Sequence, residues 1–549
     1  MPSVRRNSCE KIMGFGENVA KMRKGTVDRI SELPDFILHL ILSMLDTKEA
    51  GRASVLSKRW YDVWSSIPVL DFRFQYFKGD WDRSKYDFNV YYDTGTLQSF
   101  LGFIDRTMRR YFTERYRIMK ISLELPMVDG KIEPLVDQWF KIVVQSQIEE
   151  LEFKILYERP PEYRLPEILF RAKSLKVLNC ENVLLPYYET MELISLEYLT
   201  LTLEIVNLDL LQRIISLCPL VELDITISYL EKLSLPWTRK VNEAAEFVGN
   251  EIVQSNFKAS PLRKLAYNGM GGSIPWPWNM NVFALKNLRN LEFVRARITD
   301  DIVSQLARGL VVLERLVLSE CPDLNCIDIS SISLKILQII EGLDVMKVTV
   351  DTPNLLEFFY NCEVKTALSL TSALDHCNAQ FAPLVVDGED TITTDWLVEL
   401  KKILFETNFF KSLVIDLSTS LEIDVEEEEL RNLATGPSYK LRELKLREAS
   451  PDPTDSSLEA FLRETRYWKT TESSLPAFLD GLFWCCRPDV LSITTNLYNL
   501  TAKSILNILK RKVRCYKHPL RSIEVEGVDS SSFLSEPSEF EIRFRLSWF

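Results

Sequence analysis

The sequence predicts an α/β protein in which a short N-terminal helical unit precedes a long, irregular array of repeats that contain strands. Three observations lead to this expectation. Apolar residues between Val27 and Leu70 recur at steps of three and four, which is typical of helices. From about Ile118 onward, a short strand-like phrase returns along the chain. A single compact core stops growing at about 250 to 300 residues, so a chain of 549 residues must form several domains or an elongated array.

The helical unit, residues 27–70, contains two apolar stripes separated by a polar break that surrounds Gly51. Pro34 suits the first turn of a helix, and the break is itself rich in helix-forming residues, so we expect three short helices. About 40 residues bury too little surface to be stable alone, which predicts that this unit needs a partner. The stripes consist of Leu33, Ile37, Leu38, Ile41, Leu42, Leu45, Leu56, Trp60, Val63, Trp64 and Ile67.

Three phrases in this unit resemble the F-box of the large plant F-box family: Leu-Pro at 33 and 34, Ile-Leu-Ser-Met-Leu from 41 to 45, and Leu-Ser-Lys-Arg-Trp from 56 to 60. The resemblance implies docking on a Skp-type adaptor, which joins the chain to a cullin and a ubiquitin-conjugating enzyme. Two positions depart from the family pattern, since Asp46 replaces a common proline and Gly51 replaces a larger aliphatic residue. The residues implied to form the adaptor-facing surface and the core beneath it are Leu33, Pro34, Ile37, Leu38, Ile41, Leu45, Leu56 and Trp60.

The repeated phrase is an aliphatic residue, two variable residues, a second aliphatic, one variable residue and a third aliphatic. Where copies follow directly, their first positions lie 21 to 25 residues apart, which is the period of leucine-rich repeats and predicts a solenoid. Between Leu313 and Phe359 the spacing halves, which predicts a strand on each face of every coil. Elsewhere, as in Asp300–Leu310, the return segment has helical spacing. The copies are Ile148–Phe153, Leu196–Leu201, Leu220–Ile225, Leu288–Phe293, Leu313–Leu318, Leu334–Ile339 and Leu441–Leu446.

The rest of the organisation follows from these two parts. Residues 1–26 are expected to be a disordered basic tail, 27–70 the F-box, 71–117 a linker or N-terminal cap, and 118–400 the leucine-rich-repeat solenoid. Residues 401–549 are expected to continue or cap the array. Within them, Trp484–Ile493 and Cys515–Gly527 resemble the FBD module that follows the repeats in related plant proteins.

Composition excludes several function classes. The net charge of −12 disfavours nucleic-acid binding, which needs a concentrated basic surface. No run approaches the 18 or more apolar residues of a membrane span, and the first 26 residues lack the apolar core of a signal peptide. We therefore expect a protein of the nucleus or cytoplasm that binds neither nucleic acid nor membranes.

The residues that carry catalysis or bind metals are sparse. The three histidines, His39, His376 and His518, are far apart, and the ten cysteines are scattered with no CxxC spacing. Several cysteines, including Cys326, lie in apolar strand-like runs. The sequence thus predicts no catalytic residue, no metal site and no cofactor, which favours an adaptor subunit over an enzyme.

The variable positions that flank the middle aliphatic residue of each phrase point away from the core, because side chains alternate along a strand. Six of the twelve residues at these positions are acidic and one is basic, which suggests a basic or mixed target. An ordinary solvated surface is the alternative interpretation. The twelve are Glu150, Glu152, Tyr198, Thr200, Glu222, Asp224, Asn290, Glu292, Arg315, Val317, Glu357 and Phe359, and the candidate substrate-binding residues are Tyr198, Glu222, Asp224, Glu292, Arg315 and Phe359.

Three functional hypotheses remain at this point. The first is a non-catalytic substrate-recognition subunit of a Skp/cullin/F-box ubiquitin ligase, in which the solenoid holds a protein substrate near the conjugating enzyme. The second is an F-box co-receptor for a small molecule or hormone. The third is a leucine-rich scaffold whose F-box has no ligase role.

Overall fold

The structure is a computed structural model in which the chain divides into two compact units. The first comprises Met1–Asn182 and Thr190–Leu193, and the second comprises Val183–Glu189 and Ile194–Phe549. The tail at 1–26 and His518 lie outside the described residues. Those described are 33–45, 47–74, 77, 94–126, 128–156, 163–186, 188–203, 213–215, 217–228, 261–270, 285–342, 345–371, 376–384, 391–417, 422–425, 437–448, 474–495, 520–530 and 540–548.

Within the described residues, the first unit begins with three short helices: α1 (Asp35–Ser43), α2 (Thr47–Ala53) and α3 (Lys58–Ser65). Pro34 directly precedes α1, and a 3₁₀ turn at Ser54–Leu56 leads towards α3. The Ser57 hydroxyl caps α3 by accepting a hydrogen bond from the Trp60 amide at 3.2 Å. The polar break of the sequence is therefore a helix that contains Gly51.

Strands and helices alternate in the rest of the first unit, and its strands pair in parallel in chain order. In three of these four strands, successive residues alternate between buried and partly exposed, so that one face meets the core, whereas the strand Lys120–Leu125 also buries Ser122. The sheet begins at Val69, ahead of Ile118, where the sequence analysis placed the first repeat. The elements are β1 (Val69–Arg73), α4 (Thr94–Glu114), β2 (Lys120–Leu125), α5 (Glu133–Gln145), β3 (Glu150–Ile155), a 3₁₀ turn (Glu167–Arg171) and β4 (Val177–Glu181).

The second unit is dominated by a long series of strands that also pair in parallel. The aliphatic positions of the repeated phrase form its core, as shown by buried Leu223, Leu291, Leu316 and Leu337. The strands, in pairing order, are β5 (Tyr198–Leu203), β6 (Glu222–Ser228), β7 (Lys264–Met270), β8 (Asn290–Val294), β9 (Arg315–Ser319), β11 (Ile336–Gly342), β13 (Glu357–Cys362), β15 (Asn378–Phe381), β17 (Ser412–Leu417), β19 (Tyr439–Glu448) and β20 (Cys486–Thr495).

Smaller elements fill the return segments of these coils. A second parallel sheet contains β10 (Cys326–Ser330), β12 (Lys347–Asp351) and β14 (Ala367–Leu370), so strands alternate between two sheets here, as the halved spacing predicts. A third parallel pair is formed by β16 (Thr391–Thr393) and β18 (Glu422–Asp424). The helices of this unit are α6 (Asp300–Gly309), α7 (Thr394–Thr407) and α8 (Ser474–Cys485).

The described C-terminal part changes the pairing direction. The last two strands are β21 (Leu520–Ser530) and β22 (Phe540–Trp548), and both β20 and β21 pair antiparallel with β22. The C-terminal residues thus continue the parallel series through β20 and then end it with two antiparallel pairings.

Candidate functional site

The three N-terminal helices enclose a small apolar core. Leu38 and Leu42 of α1 pack with Trp60 and Val63 of α3, and Ala50 of α2 and Ile67 complete the cluster. Leu33 is partly buried against the same cluster. The helical spacing of the sequence therefore included five of these six buried residues but not Ala50, and it also included Ile41, Leu45 and Leu56, which are exposed.

A second set of apolar side chains from the same helices lies on the outside. Phe36, Leu40 and Met44 are spaced four residues apart and form one stripe along α1, and Phe36 and Met44 are 69% and 76% exposed. Val55 and Leu56 in the 3₁₀ turn are each 71% exposed. Contiguous apolar side chains left in water are typical of a protein-binding surface. We call this set the apolar helical surface, and it comprises Phe36, Leu40, Ile41, Met44, Leu45, Val55 and Leu56.

The eight predicted adaptor residues divide between the surface and the core. Pro34, Ile41, Leu45 and Leu56 are exposed, whereas Leu38 and Trp60 are buried. Leu33 and Ile37 are partly buried. The eight residues therefore lie partly on the surface and partly in the core of the three helices, and their role in adaptor binding stays a prediction.

The sequence analysis missed four members of the apolar helical surface: Phe36, Leu40, Met44 and Val55. The signal was present in the sequence, because α1 reads DFILHLILS and carries apolar residues on nearly every side. A helix of this kind must cover more than one face. The helical spacing was used to find one apolar stripe, so the other apolar residues of α1 were not predicted.

Polar contacts fix the angles between these helices. Arg59 donates to the Asp35 carboxylate at 2.9 Å from Nε and also to the Leu33 carbonyl, which ties α3 to the start of α1. His39 Nε2 lies 3.2 Å from the Val63 carbonyl and 3.1 Å from the Ser66 hydroxyl. These hydrogen bonds connect α1 to α3 and so stabilise the arrangement of the helices that carry the apolar helical surface.

The helices are also joined to the sheet that follows. The Thr47 hydroxyl accepts a hydrogen bond from the Asp71 amide of β1 at 2.7 Å. From α4, the Tyr111 hydroxyl donates to the Trp64 carbonyl at 3.1 Å, and burial raises the pKa of Tyr111 to about 12, so it stays protonated as a donor. The helices and the first strands form one packed body.

In the second unit, the parallel register brings the predicted substrate-binding residues into two rows. One row runs from Tyr198 through Glu222, Lys264, Asn290 and Arg315. The other, in the same direction, consists of Thr200, Asp224, Ala266, Glu292, Val317, Gln338 and Phe359. All six candidates therefore lie on one face of the sheet, although Phe359 is separated from Asp224 by four intervening strands.

The exposure of this face differs from the expectation in its middle. Val317 was expected to be exposed and is buried, at 3%. In the register it lies between Glu292 and Gln338, and Ala266 two strands away is also buried. Alternation along a strand decides which face a side chain points to but not how crowded that face is.

The acidic character of the face is also weaker than the sequence suggested. Glu222 pairs with Lys264 at 3.6 Å, and in the first unit Glu150 pairs with Lys120 at 3.4 Å. Glu152 accepts a hydrogen bond from Ser122 at 2.9 Å. The lysines come from β2 and β7, whose residues were absent from the sequence count of exposed positions. The face therefore has a mixed charge.

Asp224 is the acidic candidate whose chemistry the fold changes. Burial raises its pKa above the ordinary value, and the positive charge of Lys264 opposes this shift without cancelling it. The register places Asp224 between Thr200 and Ala266, which offer no charge. Its carboxylate is costly to keep ionised and is a poor partner for solvent.

The described cysteines other than Cys326 are buried, which lowers the reactivity of their thiols. Burial raises the pKa of the Cys180 thiol to about 12 and that of Cys321 to about 11. Cys326, expected inside an apolar strand, is instead exposed at the start of β10. Across the described ranges, no three His, Cys, Asp or Glu residues come together as a metal site, and no helix is long and apolar enough to cross a membrane.

Comparison with known families explains both parts. The F-box domain model matches residues 30–72. The repeat model of the FBD-associated F-box protein At5g56370 matches residues 136–235, and the At1g61320/AtMIF1 leucine-rich-repeat domain matches residues 277–387. The chain thus contains an F-box domain followed by leucine-rich-repeat segments, and in this it is similar to plant F-box/leucine-rich-repeat proteins. The apolar helical surface belongs to the F-box, and the two strand rows belong to the repeats.

Relatives in Arabidopsis thaliana match the chain over part of its length. An FBD-associated F-box protein is 31% identical over 206 residues, which cover 37% of this chain and 42% of the relative. An F-box/FBD/LRR-repeat protein is 30% identical over 233 residues, 42% of this chain and 44% of the relative. The matched segments thus span less than half of these relatives.

Proposed function

We propose that this protein is the substrate-recognition subunit of a Skp/cullin/F-box ubiquitin ligase. The observation that carries the proposal is the apolar helical surface, which the matched F-box domain leaves in water. F-box domains in general bind Skp-type adaptors, and large apolar side chains such as Phe36, Met44 and Leu56 need such a partner to leave water. Through the adaptor, the chain would join a cullin in the nucleus or cytoplasm.

The finer architecture supports this role. We infer that the repeats wind as an irregular leucine-rich solenoid behind a three-helix F-box, since parallel strands pair in chain order and alternate between two sheets from β9 to β15. In the second unit, the strand face would hold a protein substrate, with Tyr198 and Phe359 as aromatic contacts and Glu222, Asp224, Glu292 and Arg315 as polar ones.

The chemistry needed from this chain is positioning alone. A subunit that binds a substrate and an adaptor together raises the effective concentration of the substrate lysine at the conjugating enzyme. The proposal therefore assigns no nucleophile, base or cofactor to this protein.

Adaptor binding is tested by adding charge to the apolar helical surface. We expect Met44→Glu and Leu56→Glu each to reduce recovery of a purified plant Skp-type adaptor at least about tenfold, because a carboxylate buried without a partner is costly. These two side chains are exposed, so the helices should keep their thermal stability. Leu33→Ala is less informative because Leu33 packs against the core.

A matched control is available in the second unit. Ile332 is 75% exposed, and Ile332→Glu makes the same kind of change away from the helices. It should leave adaptor recovery unchanged. If all three variants recover the adaptor equally, or if the wild-type chain recovers none, the ligase role is wrong and the scaffold hypothesis takes its place.

A further inference from the structure

The N-terminal ends of β7, β8, β9 and β11 carry a cluster of cations. Arg263 directly precedes β7, Arg289 directly precedes β8, and Lys335 directly precedes β11, while Arg315 is the first residue of β9. Lys286 lies in the turn that leads into β8. We call this cluster the basic edge, and it comprises Arg263, Lys286, Arg289, Arg315 and Lys335.

Backbone hydrogen bonds show that these positions are neighbours in space. The Arg289 amide donates to the Arg263 carbonyl at 2.9 Å, the Glu314 amide to the Arg289 carbonyl at 2.8 Å, and the Lys335 amide to the Glu314 carbonyl at 2.8 Å. Adjacent strands are about 4.8 Å apart. Arg263 and Arg289 are therefore held close together on adjacent strands, and Glu314 lies between Arg289 and Lys335.

The carboxylates nearby do not balance these cations. The single carboxylate of Glu314 lies 2.9 Å from Arg289 and 3.2 Å from Lys335, so two cations share one anion. Among the residues that the structure describes, Arg263 and Lys286 make no ion pair, and Arg315 donates only to the Gln338 amide oxygen at 2.9 Å. The basic edge thus holds excess positive charge on a chain whose net charge is −12.

Exposed apolar side chains lie beside the basic edge. Val311 is 67% exposed and Ile332 is 75% exposed, and they occupy equivalent turns before β9 and β11. Leu356, directly before β13, is 53% exposed. A partner that meets this edge therefore meets charge and apolar surface together.

We propose that the basic edge binds an acidic segment of a protein substrate, whose apolar side chains pack on Val311 and Ile332. Charge complementarity selects the sign of the partner, and the exposed apolar residues favour a peptide over a simple anion. This inference rests on the proposed function and narrows its substrate class. It places recognition at the strand ends. It also makes the target acidic, whereas the acidic positions of the sequence suggested a basic or mixed target.

The test is peptide selection, since no natural ligand has to be known. A phage library of random 16-residue peptides is selected on the full-length chain and on R263E/K286E, in which two exposed cations without ion pairs are reversed. The control K131E/K365E also reverses two basic residues, so it changes the net charge by the same amount. Lys131 and Lys365 are exposed and do not belong to the basic edge. We expect acidic peptides containing apolar residues from the wild type and the control, and their loss from R263E/K286E.

An enriched acidic peptide, labelled with fluorescein, then gives affinities by fluorescence polarisation. We expect R263E/K286E to weaken binding about tenfold, since each reversed surface charge contributes a modest amount, and V311S/I332S to weaken it also. Neutral or basic peptides, the same peptides from both proteins, or no enrichment would overturn the proposal.

The adaptor pull-down keeps this inference separate from the proposed function. R263E/K286E should recover the adaptor like the wild type, since the basic edge lies in the second unit. If the adaptor fails to bind while acidic peptides still do, the ligase role fails and the basic edge stands.

Discussion

The guanidinium of Arg110 lies over the indole ring of Trp64, with its central carbon 4.1 Å from the ring centroid. Trp64 belongs to the last of the three N-terminal helices, and Arg110 belongs to α4, between the first two strands of the sheet. Nε and Nη2 of Arg110 are buried without a hydrogen-bond partner, so the aromatic face is the main counterpart of those atoms. This contact joins the F-box helices to the helix that follows β1.

A double-mutant cycle measures that contact. We expect Arg110→Met to reduce the free energy of unfolding by about 1 to 2 kcal/mol, and Trp64→Leu to reduce it more, because that change leaves the buried cation without its counterpart. The coupling energy from denaturant unfolding should be about 1 kcal/mol. Arg106 is exposed on the same helix, and the cycle of Arg106→Met with Trp64→Leu should show no coupling. Equal coupling in both cycles would contradict the prediction.

Gly51 lies in α2, where a larger residue should be accepted. A Cβ added there would lie 3.5 Å from the Trp64 ring, which is an ordinary van der Waals contact. We therefore expect Gly51→Ala to raise the free energy of unfolding by about 1 kcal/mol, because alanine loses less backbone entropy in a helix. Gly269→Ala is the contrasting variant, since its Cβ would lie 2.7 Å from the Arg295 carbonyl oxygen and should destabilise the protein. A loss of stability in Gly51→Ala would show that α2 needs the glycine.

The raised pKa of Asp224 predicts a pH dependence of stability. Because the folded state favours the neutral acid, wild-type stability falls as the pH rises from the ordinary value of 3.8 through the higher pKa of the folded state. Asp224→Asn removes this titration. We expect the variant to melt at a higher temperature than the wild type at pH 7, and the difference to shrink towards pH 3. A difference that does not change with pH would mean that Asp224 is not the titrating group.

Arg295 and Glu320 occupy equivalent positions after β8 and β9, and both have a left-handed backbone with φ near 51°. Their side chains form an ion pair in which Nε lies 2.5 Å from Oε2. We expect Arg295→Gly to be more stable than Arg295→Ala by about 1 kcal/mol, because both lose the ion pair but only glycine accepts this backbone without strain. The positive-φ residues do not include Arg297, so there glycine should be less stable than alanine. Thermal unfolding of the four variants checks the order.

The extent of successful prediction follows from how local each signal is. Leu38, Trp60 and the aliphatic residues of each repeat were identified because burial repeats at the period of their own element. The lysine that neutralises Glu222 was missed because Lys264 lies on the next strand, beyond a long intervening segment. The burial of Val317 was missed for a similar reason, since it depends on neighbouring strands. Side-chain contacts between neighbouring strands depend on the register of strand pairing, which a single sequence specifies only indirectly.

The regular spacing of the central strands has a consequence for the evolution of the chain. β9, β11, β13 and β15 begin at Arg315, Ile336, Glu357 and Asn378, each 21 residues after the one before, and the buried Asn361 amide bonds a carbonyl 21 residues away at Ala382. Deleting residues 336–356 would connect the coil of β9 directly to β13. Each remaining strand residue would keep its position on the buried or the exposed face of the sheet. Genetic recombination can therefore lengthen or shorten this recognition surface by whole coils without disturbing the fold on either side.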